Sequence, residues 1–175
     1  MTESEHFARV SRMEARRAAR CFCHYSNKKR KEVTNMSKAA VVYWSGTGNT
    51  GIMATKVAEG VTEAGGEATI LPADQFNAEM MDSYDAIAFG CPSMGAEHLE
   101  ESEFEPMFME CEPKLKGKKI ALFGSYGWGD GEWMRIWEET CIGDGAVMAC
   151  DFVICQETPD EEAEKECKNL GKALI

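Results

Sequence analysis

The stretch Val41-Val42-Tyr43-Trp44-Ser45-Gly46-Thr47-Gly48-Asn49-Thr50 constrains this chain more than any other. A short apolar run, which reads as a strand, passes straight into a turn of glycines and hydroxyls. A helix follows at once, with Ile52, Val57, Val61 and Ala64 recurring at helical spacing. The first N–H groups of a helix have no intrahelical acceptor, and its dipole places partial positive charge there. Strand, tight loop and helix N-terminus therefore make a cradle for an anion. Gly46 and Gly48 let the backbone approach that anion closely, and Ser45, Thr47, Asn49 and Thr50 add side-chain donors. No Lys follows the glycines, so this is not the triphosphate loop, and the dinucleotide pattern G-x-G-x-x-G is absent too. A phosphate held by amides and hydroxyls alone points to a phosphomonoester cofactor. The competing reading is an ordinary polar turn with a good N-cap.

Beyond this stretch the chain alternates. Ala39–Trp44, Ala68–Leu71, Ala86–Gly90, Lys119–Gly124 and Ala146–Cys155 read as strands, the last as one strand or a bent pair. Between and after them, helices are predicted over Thr50–Ala64, around Ala78–Asp82, from a capping-box pattern at Ser102–Glu105 through Cys111, over Glu132–Cys141, and from Thr158 onward. Continuous apolar strands alternating with helices imply an α/β fold: a doubly wound five-stranded parallel sheet, helices on both faces. In such sheets ligands bind at the carboxyl ends of the strands. The Gly-rich loops after strands one, three and four would all lie on that rim.

The loop after strand three begins Cys91-Pro92-Ser93-Met94-Gly95-Ala96-Glu97-His98, and the loop after strand four is Gly124-Ser125-Tyr126-Gly127-Trp128-Gly129-Asp130-Gly131. A Trp set among glycines at a strand's carboxyl end is best explained by stacking on a flat ligand. Met94, on the facing loop, suits the other face of such a ring. With these motifs together, the chain resembles the flavodoxins, and most closely the short-chain clostridial type, over about residues 38–175. The matching motifs are Ser45–Thr50, Met94-Gly95 with Leu99–Pro106, and Ser125–Gly131. Too few residues follow Gln156 for the insertion that splits the last strand in long-chain members.

The resemblance implies a sheet of strand order 2-1-3-4-5 and the cofactor FMN. The phosphate would sit on residues 45–50 and the flavin ring between Met94 and Trp128. In the clostridial relatives the peptide after the matching Met turns over on reduction. Its carbonyl then accepts from flavin N5–H of the neutral semiquinone. Gly95 suits that role, and Glu97 matches the acid on the flavin N3 edge. Ser125, Tyr126, Gly127, Gly129 and Asp130, with Ala96 on the facing loop, complete the expected cofactor-binding set. Ala96 stands where close relatives often carry Asp, and Pro92-Ser93 replaces a small polar pair. The function implied is a low-potential carrier shuttling single electrons between soluble redox proteins, cycling between semiquinone and hydroquinone, and not an enzyme. The alternative is an FMN-dependent quinone or nitro-compound reductase on the same fold. A flavin-free binding module leaves Trp128 and Met94 unexplained.

Charge sharpens the partner expectation. Residues 1–37 hold nine Lys/Arg against four Asp/Glu, whereas residues 38–175 hold ten basic and 26 acidic residues. That acidity argues against nucleic acid and for redox partners with basic docking surfaces. The acids flanking the ring (Glu97, Glu100, Glu101, Glu103, Asp130) would lower the potential of an anionic reduced flavin. The eight cysteines have no disulfide or zinc spacing, most of those in the acidic part sit beside apolar residues, and no secretory signal precedes them. With no apolar run of the roughly 20 residues needed to span a bilayer, the expectation is a soluble, monomeric, cytoplasmic protein that does not engage the membrane. Residues 1–37 form a separate basic extension with three open readings: a targeting or acidic-partner segment, a metal site through Cys21-Phe22-Cys23-His24, or a mis-assigned start with Met36 as initiator. Lys31-Glu32-Val33 can be encoded by a purine-rich ribosome-binding sequence at the right distance from Met36. The extension is expected to be disordered if it is present. His98 reads as a loop residue and no metal constellation is apparent.

Overall fold

The computed structural model describes residues 36–175. The expectations for the basic segment up to Asn35 lie outside the described residues. The sheet is built from β1 (Lys38–Tyr43), β2 (Glu67–Pro72), β3 (Ala86–Gly90), β4 (Lys119–Tyr126), β5 (Val147–Met148) and β6 (Val153–Gln156). Every pairing is parallel, in the order β2-β1-β3-β4-β5, with β6 also on β4. The fifth position is thus one strand interrupted at residues 149–152: β5 pairs with the start of β4, Lys119 and Ile120, and β6 with its end, Phe123–Tyr126. A bent pair at this position was one of the two expectations.

Among the described residues four α-helices cover the sheet: α1 (Asn49–Glu63), α2 (Phe104–Cys111), α3 (Glu132–Gly143) and α4 (Glu161–Ala173). Because successive strand residues face opposite sides, the apolar runs feed two cores. Ala40, Val42, Ile87, Phe89, Ile120 and Leu122 meet Phe104, Phe108, Trp133 and Trp137 of α2 and α3. There Trp137 is edge-on to both Phe104 and Phe108, with ring centroids 5.4 and 5.3 Å away. Ala39, Val41, Ala86, Ala88 and Ala121 face Met53, Val57 and Val61 of α1 and Leu170 and Leu174 of α4. Alanines on this side let α1 and α4 lie close to the sheet.

Two local expectations differ from what is observed. The segment between β2 and β3 holds short 3₁₀ turns, Ala73–Gln75 and Ala78–Ser83, in place of an α-helix. Asn77 caps the second by accepting from Met80 N–H at 3.1 Å, and its side of the sheet is filled by Phe76 and Met81. The start of α2 is not a Ser102/Glu105 capping box. The Glu100 carboxylate, 6% exposed, accepts the N–H groups of Ser102, Glu103 and Phe104 at 3.0, 2.9 and 2.9 Å, and also the Ser102 hydroxyl.

The cleft at the carboxyl edge of the sheet

The turns after β1, β3, β4 and β6 meet on one rim. They are stitched to each other by backbone bonds: Trp44 N–H to the Gly90 carbonyl (3.0 Å), Ser93 N–H to Ser125 O (2.9 Å) and Glu157 N–H to Tyr126 O (2.7 Å). Between them lies a cleft of about 570 Å³ lined by Gly46, Thr47, Asn49, Met94, Tyr126 and Gly127, among others. Among the described residues, no Lys or Arg lines it.

At one end is the N-terminus of α1. Gly48 takes the N-cap position at φ 94° and no side chain caps the helix. Ser45 Oγ instead accepts the Gly48 N–H at 3.0 Å, which closes the turn. Thr50 is buried, and its hydroxyl is 3.1 Å from the Ser125 hydroxyl, joining the first turn of α1 to β4. The chemistry of this end, uncapped amides with the hydroxyl of Thr47 and the amide of Asn49 and, among the described residues, no cation, fits a phosphomonoester.

Met94 also lines the cleft and is 38% exposed, and Trp128, one residue beyond the lining Gly127, is 62% exposed. Met94 opens a tight hairpin: Met94 N–H donates to His98 O and His98 N–H to Met94 O, both 2.9 Å. Gly95 at φ 50° and Glu97 at φ 57° make its bend, with Ala96 between them. Trp128 and Gly129 form the tip of the facing turn. Its base is held where Gln156 Nε2 donates to Gly127 O at 3.2 Å. Arg135 donates to the Asp130 carbonyl and carboxylate, both at 2.8 Å.

Of the residues singled out in the sequence, Gly46, Thr47, Asn49, Met94, Ser125, Tyr126 and Gly127 line the cleft. Ser45, Gly48, Thr50, Gly95 and Ala96 shape its turns without lining it, while Trp128, Gly129 and Asp130 stand in the exposed turn beyond Gly127. Glu97 faces a second hollow, between α2 and α3. Two expected members of the acidic surround are otherwise engaged: Glu100 is buried under α2, and Asp130 is neutralised by Arg135. Sequence reasoning missed Trp44, Glu157 and Thr158, which also line the cleft. Trp44 Nε1 donates to Glu103 at 3.0 Å, and the Thr158 hydroxyl donates to Asn49 Oδ1 at 3.3 Å. The adjacency of the β6 turn to the anion cradle is a property of strand order, and the residues following Gln156 carry no glycine pattern that signals it.

The flavodoxin family model matches residues 41–171. The chain is 48% identical to the flavodoxin of Clostridium beijerinckii over 134 residues, covering 77% of this chain and 96% of that one. It is 46% identical to the flavodoxin of Megasphaera elsdenii over 133 residues, covering 76% and 95%. The chain belongs to the flavodoxin family. Its fold superposes on the solution structure of two-electron reduced Megasphaera elsdenii flavodoxin with a TM-score of 0.72, over 78% of this chain and 97% of that chain. As a flavodoxin-family protein it binds FMN and transfers electrons to and from redox proteins, and it is not an enzyme. Among the described residues no helix is long and apolar enough to cross a membrane.

Proposed function

We propose that the chain passes single electrons at low potential between redox proteins with basic docking surfaces, acting as a cytoplasmic monomer with FMN in the rim cleft. In this reading Ser45–Thr50 hold the phosphate: the α1 amides face it, and Ser45 and Thr50 keep the turn in shape. Met94 and Trp128 flank the ring, with Ala96 and Gly127–Asp130 forming the backbone around its edge. The observation that carries the reading is an uncapped helix end and the exposed Met94 on one cleft, with the exposed Trp128 in the turn that leaves the cleft wall at Gly127. FMN, when bound, supplies a store that takes up electrons one at a time.

The protein's part is to choose which one-electron step is used. Gly95, already at φ 50°, tolerates either sign of φ, which is the freedom a peptide inversion beside it needs. Glu157 on the cleft wall, and Glu103 beyond Trp44, place negative charge beside the ligand. Like-charge repulsion disfavours an anionic reduced ring and so lowers the potential. Glu157 replaces Glu100 and Asp130 in the field expected from sequence.

FMN titration of the wild type and of Trp128→Ala tests the assignment. A one-to-one yellow complex is expected, with FMN held about five- to 150-fold more weakly in the variant, the scale of roughly 1–3 kcal/mol of aromatic stacking. Equal affinity in the two proteins would remove Trp128 from the ring site.

A further inference from the structure

We infer that Glu97 is a latch between the two loops that flank the ring site, tying the hairpin after β3 to the turn after β4 through protein contacts of its own. Its Oε1 accepts the N–H groups of Gly131 and Glu132 at 3.1 and 3.0 Å. These are the N-cap and first residue of α3, where amides have no intrahelical acceptor. Gly131 has no side chain with which to cap the helix itself. The capping group comes instead from a residue 34 positions earlier, on a different loop.

Both loops are shaped around this contact. On the turn side, a Cβ on Gly129 would come within 2.5 Å of the Glu97 carboxyl carbon, so a side chain at 129 would compete with the carboxylate for this space. On the hairpin side, Glu97 itself sits at φ 57°, a left-handed conformation that side-chain-bearing residues rarely adopt. Such conformations persist where the surroundings over-determine them. Here the mutual Met94–His98 bonds close the bend on one side and the α3 amides hold the carboxylate on the other. Arg135 clasps Asp130 at the far end of the same turn. Among the described residues only Oε1 of Glu97 is so engaged, which leaves Oε2 for a ligand. A displacement of the hairpin is therefore transmitted to the turn that carries Trp128. This inference concerns contacts within the protein, and the FMN reading enters only through the rate at which the cofactor leaves.

The test uses the full-length holoprotein labelled with ¹⁵N and ¹³C. Through-hydrogen-bond coupling should correlate the amide nitrogens of Gly131 and Glu132 with the Glu97 carboxyl carbon. Glu97→Asp keeps the charge but withdraws the acceptor by one methylene, whereas Glu97→Gln keeps the reach and removes the charge. Glu97→Asp should raise hydrogen exchange at the Gly131 and Glu132 amides about tenfold or more, the scale of a lost charge-assisted hydrogen bond. Core amides such as Val41 and Leu122 should be unchanged. Glu97→Gln should stay within about threefold of the wild type, since a neutral acceptor is roughly half as strong. FMN release should quicken in Glu97→Asp together with the exchange. Exchange at the two amides within about twofold of the wild type in Glu97→Asp, with or without faster FMN release, would place Glu97 on the ligand alone and overturn the latch. Should Glu97→Asp not fold, the coupling in the wild type decides: a missing correlation, with the sheet hydrogen bonds visible in the same spectrum, overturns it.

Discussion

Glu100 shows how one buried carboxylate positions part of the rim. Burial alone would raise its pKa, but the Ser102 hydroxyl and the amides of Phe104, Glu103 and Ser102 outweigh that and hold it below the ordinary glutamate value. A folded-state pKa below the unfolded one contributes stability that is fully present above the unfolded value. That contribution is lost as pH falls through the folded value. Glu100→Ala should lower stability by about 2–3 kcal/mol at neutral pH, since three amides lose their acceptor. The difference between wild type and variant should shrink on acidification below the ordinary glutamate range, measured by urea unfolding at a series of pH values. A gap that is constant with pH would exclude an ionised cap. The capping-box pattern at Ser102–Glu105 suggested a different residue for this job. Sequence spacing marked the helix start correctly but could not show that the chain folds Glu100 under it. By contrast the exposure of Trp128 was legible, because an aromatic among glycines has no periodic apolar neighbours with which to be buried.

Helices α1 and α4 make the tightest element contact on the Ala-rich face. Gly60 of α1 lies against the backbone of Lys168, and Gly171 of α4 against the backbone of Val57, so a Cβ at either position would clash with a carbonyl group. Both glycines are buried. Ala is the better helix former by roughly 1 kcal/mol, yet Gly60→Ala should destabilise by about 1–3 kcal/mol because the helices must separate. Chemical denaturation of Gly60→Ala and Gly171→Ala measures this, and a gain in stability from either would refute the close approach. The ion pairs above this seam, Lys168 with Glu59 and Glu63 and Lys172 with Glu63, lie at 2.8–3.2 Å on the surface and add little in salt. This pair of glycines was invisible in the sequence, where an isolated helical Gly reads only as a weak point. The strands themselves were legible: apolar runs in parallel strands buried on both faces need no alternation. The 3₁₀ turns at Ala73–Gln75 and Ala78–Ser83 were not, because a short polar stretch has no helical period long enough to separate the two helix types.

For the whole molecule, the charge balance of residues 38–175 makes electrostatics the long-range term in encounter with a partner. If docking uses basic redox proteins, electron-transfer rates should fall by about tenfold or more between low and high ionic strength, with the steepest change where the Debye length drops below about 10 Å. Stopped-flow reduction of a basic acceptor over a salt series measures this, and a flat profile would exclude electrostatic steering. The rim position of the cleft was readable from the alternation of strands and helices, since ligand sites in such sheets follow from topology. The contribution of Glu157 and Thr158 was not, because it depends on β6 lying beside the end of β4, a pairing that no residue pattern marks. The proposed function rests on this cleft holding FMN and using it one electron at a time. An anaerobic reductive titration of the full-length protein, followed in the visible spectrum, tests it most directly. A yellow protein that passes through a blue one-electron-reduced form before it bleaches is expected. Bleaching in a single two-electron step, or a protein that takes up no FMN, would contradict it.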